Sequence, residues 1–234
     1  MRDIQLLGPV RLFQSSPGPA PQQAVLAKLT GNVGQILSIE DLNDAGPASR
    51  VRTYVAGLRK VMRQAGVDAK SVLASVSDGY VLRVQPDQVD VSYFDRLFRR
   101  GQALLAVGDA RGAVDTLCEA TALWRGEALS GVSGAYAEQE RARLTERRLV
   151  ATEDLLRARL RTGETDLAAE LAHLVRMHPG RESLRELLMI ALVRDGRRAE
   201  ALLVLHDGRT RPGPALLRVQ ARILADDDAF FEAS

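Results

Sequence analysis

Three well-separated glycines are each followed, five residues later, by an alanine: Gly108 by Ala113, Gly163 by Ala168 and Gly196 by Ala201. Each glycine divides an apolar run in two: YFDRLFRRGQALLAVGDARGAVDTLCEATALWRG, LLRARLRTGETDLAAELAHLVRMHP and LLMIALVRDGRRAEALLVLH. Glycine ends a helix by accepting left-handed backbone geometry, and a small residue early in the next helix lets the two approach closely. The last two glycines stand 33 residues apart, and Pro179 closes one unit before Glu182 opens the next. A helix–turn–helix recurring at that length is the pattern of tetratricopeptide-type pairs, whose apolar faces are covered by their neighbours. Between the first and second pairs, residues 134–163 read as one long, highly charged helix. Residues 92–234 are therefore expected to be all helical.

Residues 1–91 follow a different pattern. Ile4 to Phe13 (IQLLGPVRLF) is β-prone and broken by Gly8-Pro9, which predicts a small hairpin. Gln14 to Pro21 is a loop by composition, and Gln22 to Leu29 a short helix ended by Gly31-Asn32. Ser38 opens a second expected helix, SIEDLNDAG, with Asp41 approximating a capping box and Gly46-Pro47 as the stop. A third helix spans Ser49 to Gly66, SRVRTYVAGLRKVMRQAG. At 3.6 residues per turn, Val51, Val55, Leu58, Met62 and Ala65 form one stripe. Arg52, Arg59 and Arg63 form a second, roughly 40° wide, with Lys60 at its edge. Only Thr53 and Ala56 interrupt that basic face, with Gly57 just beyond. Residues 71–84 (SVLASVSDGYVLRV) then read as strand, Ser-Asp-Gly turn, strand. Helix followed by hairpin is the order of a winged helix-turn-helix, whose helix enters the major groove while the wing lies along the backbone. Arg52, Arg59, Lys60 and Arg63 are expected to face water and to supply phosphate and base contacts. Ser77, Gly79 and Tyr80 are expected to form the wing, the Tyr80 ring also closing it against the helices.

Composition narrows the chemistry. At 234 residues and 46% hydrophobic content the chain suits one or two globular domains, and a net charge of +2 requires any nucleic-acid footprint to be local. Residues from 92 onward carry 22 Arg against 22 Asp plus Glu, so that half has no reason to bind DNA by itself. The basic residues are nearly all Arg; Arg is the better bidentate phosphate and guanine binder, but the bias reads as that of a G- and C-rich genome. No apolar run approaches the ~18 residues that suggest a membrane span, and no leader is expected at Met1. One cysteine, Cys118, excludes an intrachain disulfide and suits a cytoplasmic protein; in its apolar run it is expected to be a small core residue. His173 and His178 are roughly 140° apart on a helix and cannot share a metal on one face, and His206 stands alone. Trp124 is expected to pack rather than stack on a ligand. There is no Gly-rich phosphate loop, nucleophile elbow or paired carboxylate motif. A non-enzymatic protein without cofactor or metal is expected.

Several stretches resemble a known family. LLGPVRL, SIEDL, YVAGLRKVM and SDGYVLRV are similar to the DNA-binding half of the Streptomyces antibiotic regulatory protein family. VDVSYFDRLFRRGQALLAVGD, ALWRGEAL, LRELLMIALVRDGRRAEAL and GPALLRVQARILADD are similar to the bacterial transcriptional activation domain that follows it. The resemblance implies a mainly α protein: an N-terminal winged helix-turn-helix (α+β) at 1–91 and an all-α tetratricopeptide-like domain at 92–234. It implies activation of antibiotic or other biosynthetic gene clusters, with double-stranded DNA (promoter repeats) as a partner and RNA polymerase or another protein engaged through the helical repeats; the sequence leaves the oligomeric state, a homodimer included, open. Where the family tends to carry Ser-Arg, this chain has Ala56-Gly57. Of a longer segment with Trp-Gly and two prolines only Gly46-Pro47 remains, and a long basic helix is shortened to HDGRTRPGP. Such a trimmed member is expected to activate chiefly through its helical half or with a second protein. Two other readings stand beside the activator: a protein-interaction module that has lost DNA binding and acts on a partner protein through its helical repeats, and a regulator sensing a small molecule.

Overall fold

The computed structural model describes residues 2–43, 48–205 and 211–227. The shortened connection at Gly46-Pro47, His206 and much of the HDGRTRPGP stretch lie outside the described residues. By packing, the chain divides into two units: residues 1–98 with 119–149, and residues 99–118 with 150–234. The composition break at Val91-Ser92 is therefore not where the packing divides.

In the first unit, β1 (Ile4–Gln5) pairs antiparallel with β2 (Arg11–Leu12), giving the expected hairpin. Helix α1 (Ala20–Gly31) follows, with proline at its start. Ser38 and Asp41 make the capping-box bonds: the Ser38 N–H and hydroxyl donate to Asp41 Oδ2 at 3.0 and 2.7 Å, and the Asp41 N–H donates to Ser38 Oγ at 3.1 Å. These bonds hold the Asp41 carboxyl below its ordinary range. The helix they were expected to start is nevertheless absent from residues 38–43. Leu37–Ser38 forms strand β3, and residues 39–42 only a turn. A box secures one turn, but Asn, Asp and Gly beyond it propagate a helix poorly. The basic helix α2 (Val51–Gln64) comes next, then a short α3 (Ala69–Val72), which takes up Ser71 and Val72, expected to begin the first wing strand. The wing strands are β4 (Leu73–Val76) and β5 (Gly79–Leu82), and β3 adds a third antiparallel strand in the order β3-β5-β4.

The rest of this unit comes from beyond residue 91. Helices α4 (Asp90–Ala106), α5 (Ala110–Ala122) and α6 (Ala135–Arg161) each contribute residues to both units. The motif ALWRGEAL covers the N-terminal hairpin: the N–H groups of Arg125 and Leu129 donate to the carbonyls of Leu7 (2.8 Å) and Leu6 (2.9 Å). Asp90, at the start of α4, is 2% exposed. Its carboxylate accepts the Leu6 N–H (2.8 Å to one oxygen, 2.9 Å to the other), the Leu7 N–H (3.0 Å) and Arg125 Nη2 (3.2 Å). Trp124 packs edge-on to Phe94 at 5.6 Å, as expected of a core aromatic, with the Arg148 guanidinium over its ring.

Among its described residues the second unit contains helices and no strand. Helices α7 (Ala168–Met177), α8 (Glu182–Arg194), α9 (Arg198–Val204) and α10 (Pro214–Leu224) complete it. Gly108, Gly163 and Gly196 all sit at positive φ, +82°, +80° and +74°. Each closes the same double-bonded helix end. The glycine N–H reaches Leu105, Leu160 or Val193, and the next N–H reaches Leu104, Arg159 or Leu192. The three predicted alanines are at most 4% exposed. The apolar run Leu187–Val193 is buried on every side, because α7, α9 and α10 all pack on α8. Cys118 is a correction: it is exposed. Ala113, Leu117 and Ala120 take the inward face of α5, and Cys118 lies about 100° round from Leu117. Among the described residues no helix is long and apolar enough to cross a membrane, and no cluster of three His, Cys, Asp or Glu is placed to hold a metal.

Candidate nucleic-acid interface

Helix α2 is anchored on one side only. Val51, Val55, Leu58 and Met62 are at most 1% exposed and face the core shared with α1, β4 and β5. Ala65, assigned to the same stripe, is exposed, since the helix ends at Gln64. Gly66, at φ +77°, closes that end: its N–H donates to the Arg63 carbonyl and the Val67 N–H donates to the Met62 carbonyl (both 3.0 Å). On the opposite face Arg52, Thr53, Ala56, Lys60 and Arg63 are exposed. The side chains of Arg52, Lys60 and Arg63 have no ion-pair or hydrogen-bond partner among the described residues.

Arg59 does not share that face, and the expectation that its side chain faces water is corrected. It is half-buried, and its guanidinium turns onto the wing. Nε and Nη2 donate to the Leu73 carbonyl at 2.9 and 2.7 Å, Nη2 donates to Ser75 Oγ at 2.9 Å, and the group lies 5.7 Å from the centre of the Tyr80 ring. An unpartnered edge-strand carbonyl is a stronger attractor for a fork of N–H donors than bulk water is.

The wing residues separate in the same way. Ser77, at φ +50°, and Asp78 form its exposed tip. Gly79 is buried opposite Ser38 of β3, and a side chain there would meet the Leu37 carbonyl, its first carbon lying 3.0 Å from the Leu37 carbonyl carbon. Tyr80 is 8% exposed and sits in the core, closing the wing as its ring was expected to do.

Gly57 has a partner that the sequence does not reveal. A Cβ there would fall 2.6 Å from Gln22 Nε2, and that side chain of α1 is buried while donating to the Pro17 carbonyl. Position 57 therefore points at α1, and its lack of a side chain removes nothing from the exposed basic face. Gly57→Ala is expected to forfeit the usual gain of about 1 kcal/mol for replacing a mid-helix glycine, because Gln22 must give way. In a Gln22→Ala background the same change is expected to stabilise by that amount. Denaturant unfolding of the four variants of this cycle measures it.

A winged helix with an exposed basic helix, followed in the chain by tetratricopeptide-like pairs, is the architecture of the described residues. The chain matches the bacterial transcriptional activator domain over residues 89–224. It is 36% identical to the transcriptional regulator RedD of Streptomyces coelicolor, over 96% of this chain and 71% of RedD. It is 37% identical to the regulatory protein AfsR of Streptomyces griseus over 95% of this chain, but spans only 24% of AfsR. Mycobacterium tuberculosis EmbR, solved in complex with a low-affinity phosphopeptide, superposes with a TM-score of 0.89 at 27% identity, over 98% of this chain and 68% of that one. The chain belongs to the Streptomyces antibiotic regulatory protein family.

Proposed function

We propose that this protein binds double-stranded DNA at promoter repeats through α2 and the wing, and activates transcription of a biosynthetic gene cluster. The observation that carries the reading is the exposed, unpaired set Arg52, Lys60 and Arg63 on one face of a helix whose other face is sealed into the core. Those cations meet phosphates, Thr53 and Ala56 leave room for the backbone to approach the groove, and Ser77 at the wing tip meets the adjacent strand. Residues 1–91 form the DNA-binding half and residues 92–234 the activation half. Acting in the cytoplasm by binding rather than catalysis, the helical half engages RNA polymerase or another protein, and two copies occupy the repeats. Supporting a protein partner, a groove of about 370 Å³ in the second unit is lined by Ala168, Ala172, Leu188, Leu192, Leu203 and Val204.

Titrating duplex DNA over a salt series tests the proposal. Replacing Arg52 and Arg63 together by alanine is expected to weaken binding to every duplex and to lower the slope of log affinity against log salt by about 1.8, two phosphate contacts' worth. Thermal stability is expected to stay within about 0.5 kcal/mol of the wild type, because both side chains are exposed. A wild type that binds no duplex even at low salt overturns the proposal in favour of the interaction-module reading.

A further inference from the structure

We propose that Arg59 positions the wing on the basic helix and does so without touching DNA, an inference that rests on the DNA-binding reading above. Three of the five N–H donors of a guanidinium are committed inside the protein, two to the Leu73 carbonyl and one to Ser75 Oγ. The same group lies against the Tyr80 ring. Leu73 and Ser75 belong to β4, an edge strand of the order β3-β5-β4, whose outer carbonyls have no strand partner among the described residues. Arg59 thus joins the middle of α2 to the outer strand of the wing. It sets the angle at which the Ser77 tip stands relative to the exposed row Arg52, Lys60 and Arg63. Contacts held at fixed separation bind a duplex better than the same contacts on a hinge, because less freedom is lost on binding. The planar fork is what the site uses: lysine keeps the charge but cannot bridge a carbonyl and a hydroxyl while lying on a ring.

The test compares Arg59→Lys, Arg59→Gln, Ser75→Ala and Arg63→Ala in the full chain. The probe is a labelled duplex that the wild type selects from a random-sequence pool, titrated over a salt series. Circular dichroism confirms that each variant is folded, and amide exchange of the free protein reports on the wing. Both Arg59 variants are expected to bind about tenfold more weakly with an unchanged salt slope and faster exchange of the β4 and β5 amides. Arg63→Ala is expected to lower the slope by about 0.9 and leave that exchange unchanged. Ser75→Ala, the milder change, is expected to weaken binding a few-fold and to add nothing to Arg59→Gln in the double variant. A slope loss of about 0.9 in Arg59→Gln, with binding restored by Arg59→Lys, makes Arg59 a phosphate contact and overturns the proposal. Unchanged affinity in both Arg59 variants also overturns it. Failure of the wild type to bind any duplex is a separate result that defeats the DNA-binding reading itself.

Discussion

Asp90→Ala is expected to destabilise the first unit by about 3–5 kcal/mol, the largest effect of any single change considered. The substitution strands two buried backbone donors, the Leu6 and Leu7 N–H groups, and removes the carboxylate that faces Arg125. Each orphaned donor costs about 1–3 kcal/mol on its own. Asp90→Asn keeps one acceptor oxygen and is expected to cost less. Burial pushes the Asp90 carboxyl above its ordinary range, against the opposing pull of the Leu7 and Leu6 N–H groups and Arg125. With the folded value raised above the unfolded one, the group's linked contribution is full below the unfolded pKa of about 4 and is lost as pH rises through the folded value. The stability of the wild type relative to Asp90→Asn should therefore decline as the pH rises above about 4. Thermal unfolding of the two proteins across that range measures it, and a difference that grows with pH would contradict the burial argument.

Gly79→Ala is the second large effect. The new methyl group would meet the Leu37 carbonyl and lie 3.2 Å from Ile36 Cγ2, and the nearer obstacle is backbone that cannot rotate away. The β3–β5 pairing, Leu37 to Tyr80 and Ser38 to Gly79, has to open. Overpacking of this kind costs about 1–3 kcal/mol, and the wing loses its third strand, β3. The expected result is a lowered unfolding midpoint together with weaker duplex binding at an unchanged salt slope, since no phosphate contact is removed. An Asp78→Ala control at the exposed tip is expected to leave stability within about 0.5 kcal/mol.

The contrast between Gly79 and the glycines of the helical half shows what a sequence pattern can and cannot reveal. Gly108, Gly163 and Gly196 are needed for their own backbone angle, a local property announced by the apolar periodicity on either side. Gly79 and Gly57 are needed because another segment lies where a side chain would go: Leu37 in one case, Gln22 in the other. The SIEDL capping box marks the same limit. Its bonds formed as the spacing required and secure only the turn at residues 39–42, while the pairing of Leu37 and Ser38 with Tyr80 and Gly79 is set by a segment that the local spacing does not name.

The sequence alone determined the local elements: the paired helices, the two hairpins, and the basic stripe opposite Val51, Val55, Leu58 and Met62. All of these follow from periodicities and turn residues within a few positions of one another. Only the tertiary structure decided which basic residues stay free. Arg52, Arg59 and Arg63 fall in one stripe by helical geometry, yet Arg59 lies within reach of a carbonyl 14 residues further along the chain and leaves the exposed face. Only the tertiary structure, too, placed ALWRGEAL over LLGPV, with Asp90 bonded to amides some 84 residues away. Buried donors and acceptors must be matched wherever the fold brings them together, and nothing in the spacing of either partner along the chain specifies the other.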